Sequence, residues 1–267
     1  MQRMDKNIQA AMADHWLKLI ICLVVVTNAT NAMEKRAVCM GGSPAGQVEK
    51  IGGLNCYVTG PKDSNISVIL ASDVFGFEVP HLRKIADKVG AAGFYTLVPD
   101  FFHGDPYVSG RPEKPFQDWI KEHPAEKGIE DAKALIKALK NTGITKIGAA
   151  GFCWGGKPVV DLTKCPSIQV AVLLHPTYVT IEDIEGVEVP ISIFGGQNDT
   201  MAPPSLLKQY DSALKAKHKI SVDSFVTIFP GAGHGWTTRY NDTDAAAVKR
   251  AKKAHKYMLH WFVKYLK

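Results

Sequence analysis

Short apolar runs recur along this chain, separated by stretches whose apolar residues return every three or four positions. The runs at 66–71, 94–98, 147–150, 169–174, 190–194 and 221–229 are too short for helices and end at glycine, proline or polar turns, so they predict buried strands. Residues 81–92, 129–141, 203–217 and 243–267 carry helical periodicity instead. In 129–141 it places Ile129, Ala132, Leu135, Ile136 and Leu139 on one face. Pro80 opens the first of these helices and Gly93 closes it. Residues 48–58 predict an edge strand or hairpin broken at Gly52-Gly53. Alternation of this kind predicts an α/β fold, a mostly parallel sheet flanked by helices. The stretch 99–119 has no periodicity and follows a strand, so it is either a substrate-side loop or cap, or an irregular connection.

Size and composition narrow the class. At 267 residues, 46% hydrophobic and 22% charged, the chain has room for one large globular domain, placed at 48–267 behind a 33–47 connector. Residues 1–32 have the features of a signal peptide: Arg3, Lys6 and Lys18, an apolar run at 19–26, and small residues after it. The run is too short for a stable membrane span. The alternative is a disordered N-terminal extension with Met33 as the working start, and these readings place the protein outside the cell or in the cytoplasm. Sequons at Asn65, Asn198 and Asn241 bear on export, because a glycan on Asn198 would crowd Asp199. The net charge of +6 is concentrated at 249–267, which fits a solvated terminal helix. No zinc-finger spacing, RNP-like string or basic patch interleaved with aromatics supports nucleic-acid binding. Five cysteines without a C-x-x-C do not make a disulfide scaffold or a redox pair, although Cys39 and Cys56 could bridge in an exported chain.

The chemistry centres on Gly151-Phe152-Cys153-Trp154-Gly155. A strand that turns at once into a helix holds its middle residue in an unfavourable conformation, and close backbone approach leaves no room for side chains on either side. Cys153 is thereby the candidate nucleophile. Asp199 follows the 190–194 strand and His234 follows 221–229, so the chain order is nucleophile, acid, histidine, as in the α/β-hydrolase fold. In that arrangement Cys153 attacks a carbonyl carbon, His234 moves the proton and Asp199 orients the imidazole. The backbone N–H groups of Trp154 and Val74 are the candidate oxyanion hole. His175, at a strand end, and Trp236 are candidates for lining the pocket. The alternatives are a helix-terminal acid for Asp199 and structural histidines for His234 and His175. No dinucleotide or P-loop string is present, and the histidines form no recognised ligand pattern, so neither cofactor nor metal is expected.

The strings Ser72-Asp73-Val74-Phe75-Gly76, Val98-Pro99-Asp100-Phe101-Phe102-His103-Gly104-Asp105-Pro106, Ala150-Gly151-Phe152-Cys153-Trp154-Gly155, Leu174-His175-Pro176 and His234-Gly235-Trp236 resemble the dienelactone hydrolase family, in particular its plant branch. The resemblance implies a Cys–Asp–His triad on Cys153, Asp199 and His234 and cofactor-free hydrolysis of lactones or small esters. The family's founding enzymes carry a glutamate that pairs with the resting cysteine, where this chain has Asp73, one methylene shorter. They also bind a substrate carboxylate with two arginines, for which Arg239 and Arg111 are the candidates. Some plant members are described as endo-1,3;1,4-β-glucanases, which makes a cell-wall glucan an alternative substrate, with Asp73 and Asp199 as its carboxylates. A non-catalytic binding protein on a hydrolase scaffold is the remaining alternative.

Overall fold

The computed structural model describes residues 45–216 and 222–267. The expected signal segment, most of the connector and the junction between the 203–217 helix and the 221–229 strand lie outside the described residues. Strands β1 (Gln47–Ile51) and β2 (Leu54–Thr59) form a hairpin in which Ile51 pairs with Leu54. Its two-residue turn is Gly52-Gly53, both at positive φ, which matches the twist of the strands. β2 runs antiparallel to β4 (Tyr95–Pro99). Every other pairing is parallel: β4 with β3 (Ile66–Ala71), then β5 (Lys146–Phe152), β6 (Val170–Leu174), β7 (Ile191–Gly196) and β8 (Ser224–Phe229) in succession. The spatial order is β1-β2-β4-β3-β5-β6-β7-β8.

Helices α1 (Pro80–Ala91), α2 (Phe116–Glu122), α3 (Ala125–Asn141), α4 (Gly156–Leu162), α5 (Ile181–Glu185), α6 (Pro204–Ala216) and α7 (Ala245–Leu266) flank this sheet. β6 is buried along its whole length, as are all but the first residues of β3 and β5, and for this reason they read as unbroken apolar runs. α7 lies so close to β5 that a Cβ on Gly148 would stand 2.9 Å from Leu266 and 3.0 Å from Phe262. Because β3 to β8 are parallel, their C-terminal ends share one edge, and the loops carrying the candidate residues gather there.

Three elements depart from expectation. The 99–119 stretch ends in α2, and α3 begins at Ala125 rather than at 129. Gly128 interrupts the apolar pattern of that first turn, because an added Cβ would lie 2.5 Å from the Trp154 ring. α5 is too short to show periodicity and is held by a capping box between Thr180 and Asp183. Among the described residues Cys56, Cys153 and Cys165 are free thiols, and Cys39, the possible bridge partner of Cys56, lies outside them.

Candidate active site

Cys153 sits where β5 gives way to a single 3₁₀ turn, Cys153–Gly155, that runs into α4. Its φ is 53°, in the left-handed region that costs a side-chain-bearing residue on the order of 1–2 kcal/mol. The surrounding backbone imposes this conformation. A Cβ on Gly151 would lie 2.2 Å from the Gly155 carbonyl oxygen, and one on Gly155 would lie 2.3 Å from that of Ala71. Only glycine lets the turn close against β3. The Cys153 carbonyl accepts from Thr177 N–H at 3.0 Å, and its Sγ lies 3.7 Å from Thr177 Oγ1.

Trp154 directs its indole away from the thiol. Its Nε1–H donates to the His123 carbonyl at 3.1 Å, and its ring packs on Phe102 with centroids 4.7 Å apart. The Val74 carbonyl accepts from Tyr107 N–H at 2.8 Å, which ties the first strand-end loop to the long one. The N–H groups of Val74 and Trp154 take no part in the turn and loop hydrogen bonds among the described residues.

Asp199 and His234 meet directly. The carboxylate can only accept, so His234 Nδ1–H donates, at 2.9 Å to Oδ2 and 3.1 Å to Oδ1. Asp199 Oδ1 also accepts from the N–H groups of Met201 and Ala202 at 2.9 and 3.0 Å. Burial opposes the charge on Asp199, but these bonds outweigh it and hold its pKa below the ordinary carboxylate value. Burial likewise opposes a charged His234. Asp199 and the nearby Cys153 sulfur prevail and raise the imidazole to about 9. His234 Nε2 is buried and has no hydrogen-bond partner among the described residues, while the nearby Cys153 sulfur favours the charged imidazole. Such a relay is often loose until substrate arrives.

Of the other candidates, His175, Trp236 and Arg239 lie beside His234. His175 is fully buried at φ 41°, its Nε2 2.7 Å from Thr237 Oγ1 and its ring 5.2 Å from that of His234. Burial, then the charges of His234 and Arg239, hold its pKa well below the ordinary value, which leaves it neutral. Trp236 packs on Phe229 with centroids 4.5 Å apart and shares with His234 a cavity of about 250 Å³. Asp73 and Arg239, considered separately above, are partners: Arg239 Nη1 donates to Asp73 Oδ2 at 2.5 Å and Thr238 Oγ1 donates to the same oxygen at 3.2 Å. The other oxygen accepts from Phe75 N–H. No hydrogen bond joins Asp73 to Cys153 among the described residues. Arg111 is exposed in the long loop and pairs with Glu113 at 3.3 Å.

Two neighbours of Cys153 escape the sequence reading. Thr177 touches the sulfur, and Tyr178 follows it at φ 59° with nearly half its surface exposed. Their sole signal is a position just past the end of β6. Among the described residues, one group of possible metal ligands is drawn together, Asp105, Glu122 and His123. Lys114 already occupies its centre, 2.6 Å from Asp105 and 2.7 Å from Glu122, and His123 Nε2 lies 2.8 Å from Asp105. The group therefore works as an ion-pair knot that fastens the long loop to α2.

A cysteine elbow, an acid–histidine pair and this strand order describe a hydrolase fold of the α/β type. The dienelactone hydrolase family model matches residues 54–266, and the chain belongs to that family. A Zea mays protein named endo-1,3;1,4-beta-D-glucanase is 38% identical over 218 residues, covering 76% of this chain and 71% of that one. A carboxymethylenebutenolidase homolog of Homo sapiens is 33% identical over 228 residues, covering 82% and 90%. A crystal structure from Klebsiella pneumoniae, provisionally assigned as a dienelactone hydrolase, superposes with a TM-score of 0.67 at 19% identity, over 79% of this chain and 93% of that one. At that identity the structural likeness speaks for the fold alone.

Proposed function

We propose that this chain is a cofactor-independent hydrolase of small carboxylic esters or lactones, with Cys153 as nucleophile, His234 as acid–base and Asp199 as its orienting partner. The observation that carries the reading is the Asp199–His234 hydrogen bond beside a cysteine held at positive φ on a strand-to-helix elbow. In this mechanism the thiolate adds to the ester carbonyl while the N–H groups of Val74 and Trp154 take the developing oxyanion. Protonated His234 gives its proton to the departing alkoxide as the tetrahedral intermediate collapses to a thioester. A water, deprotonated by the now neutral imidazole, then cleaves the thioester and restores the thiolate–imidazolium pair. The name of the human relative is in keeping with a lactone substrate.

A second reading, cleavage of mixed-linkage glucan, is favoured by the name of the maize relative. Glycoside hydrolysis ordinarily needs two carboxylates flanking the bond, one of them able to give a proton. The two carboxylates proposed for it are both engaged, Asp73 by Arg239 and Thr238, and Asp199 by His234. A panel of lactones, aryl esters and mixed-linkage glucan, assayed with the native protein and Cys153→Ala, separates the readings. Ester turnover that survives the substitution would defeat the thiol mechanism, whereas glucan cleavage that survives it would support the second reading.

A further inference from the structure

The Thr177 hydroxyl is buried, and among the described residues its hydrogen-bond partner is the Cys153 sulfur, 3.7 Å away. A hydroxyl taken out of water must place its proton on an acceptor or lose its hydration without return. The sulfur is that acceptor, so Thr177 Oγ1–H donates to Cys153 Sγ.

Local structure does not account for the hydroxyl. The bond that ties this loop to the elbow is made by the backbone, from Thr177 N–H to the Cys153 carbonyl at 3.0 Å, and any residue but proline would supply it. The loop is also held at points that leave the Thr177 side chain out. A Cβ on Gly156 would lie 2.8 Å from Pro176, His175 N–H donates to the Phe194 carbonyl at 2.7 Å, and the Tyr210 hydroxyl donates to the Val179 carbonyl at 2.6 Å. His175 and Tyr178 sit at φ 41° and 59°, a conformation that persists in such residues only where the surroundings impose it. Valine has the shape of threonine and would fill the same buried space with no polar atom to satisfy. The path of the loop therefore fixes a donor against the sulfur before any substrate arrives.

We propose that Thr177 is a further catalytic residue, whose hydroxyl donates to the Cys153 sulfur and favours the thiolate over the thiol. Its part in turnover rests on the ester reading above. A hydrogen bond to a charged acceptor is stronger than one to a neutral acceptor, so the donor does more for the thiolate than for the thiol. Its effect weakens once the sulfur is acylated, which leaves the oxyanion to the N–H groups of Val74 and Trp154. His234 and Tyr178 are ionisable groups close to the same sulfur. His234 Nε2 has no hydrogen-bond partner among the described residues, and Asp73 is taken up by Arg239 and Thr238. Before substrate arrives the threonine, and not the acid–histidine pair, holds the sulfur.

The test is alkylation of Cys153 by iodoacetamide, followed at its own peptide by mass spectrometry, in the native protein and in Thr177→Val, Thr177→Ala and Thr177→Ser. At neutral pH the valine and alanine variants should label at least about tenfold more slowly than the native protein, as expected for one hydrogen bond to a charged sulfur. Their kcat/KM for an aryl ester should fall in parallel. Thr177→Ser restores the hydroxyl without the methyl and should recover most of both rates. The gap should close as pH rises well past about 8.5, where a free cysteine ionises unaided. Native labelling rates in the valine or alanine variant, a serine variant as slow as alanine, or a gap that persists in alkali would overturn the proposal. Labelling needs no turnover, so the two readings fail separately. Ester turnover that survives Cys153→Ala overturns the thiol mechanism, whereas unchanged labelling without the hydroxyl overturns the role of Thr177 alone.

Discussion

The Arg239 guanidinium lies 2.5 Å from the Asp73 carboxylate, joining the loop after β3 to the loop after β8 across 166 residues of chain. Asp73 is almost wholly buried, and Arg239 is its cation; Arg239 also lies 5.1 Å above the Phe75 ring. Arg239→Gln should therefore leave a buried carboxylate uncompensated and cost about 3 kcal/mol in denaturant unfolding. Adding Asp73→Asn should recover part of that loss, and strict additivity of the two changes would show that they do not act as a pair.

The pH dependence of His234 follows from its raised pKa of about 9. A group raised on folding stabilises fully below its unfolded value, near 6.5, and that contribution is lost as pH rises through about 9. Under the proposed mechanism, ester turnover should also lose an essential acid on that alkaline limb. Asp199→Asn removes the bond that raises the imidazole, so the limb should move to lower pH and kcat should fall by about 10³–10⁴. An alkaline limb at the same pH in both proteins would contradict the assignment.

Asp183 behaves in the opposite sense. Burial opposes its charge, but Lys157 at 2.7 Å and Lys164 at 2.6 Å lower its pKa to about 2. The stability it adds is present above its ordinary value of 3.8 and is lost as pH falls toward about 2. This cluster binds α4, which begins at the elbow, to α5. Asp183→Asn should flatten the acid limb of stability between those values and lower the melting temperature at pH 7.

Gly128→Ala should disturb the elbow from outside it. The added Cβ would stand 2.5 Å from the Trp154 ring, and such overpacking costs about 1–3 kcal/mol. A shifted tryptophan emission together with a lower melting temperature is the expected result. Native emission and stability would mean that the ring relaxes freely.

What the chain discloses before folding follows from how each element stabilises itself. Buried parallel strands must be apolar on both faces, so β3, β5 and β6 are visible as runs. The elbow is visible because backbone contact demands glycine at 151 and 155. Asp199 and His234 are conspicuous as polar residues just past apolar runs, and the fold brings them into contact. The Asp73–Arg239 pair has no such local mark, since its registry depends on two loops meeting in space. α5 is too short for periodicity, and the first turn of α3 is disguised by the glycine that admits Trp154. Thr177 and Tyr178 owe their place to the path of the chain beyond β6, which no side-chain pattern records.

The bond from the Trp154 indole to the His123 carbonyl has a bearing on recombination among relatives. The 100–124 segment and the residue adjoining the thiol are fastened together, so exchanging one bears directly on the other. A chimera that grafts a foreign 100–124 segment onto this scaffold must import a compatible partner at 154 and a matching gap at 128. The 100–124 segment, the indole at 154 and the gap at 128 thus form one packing unit.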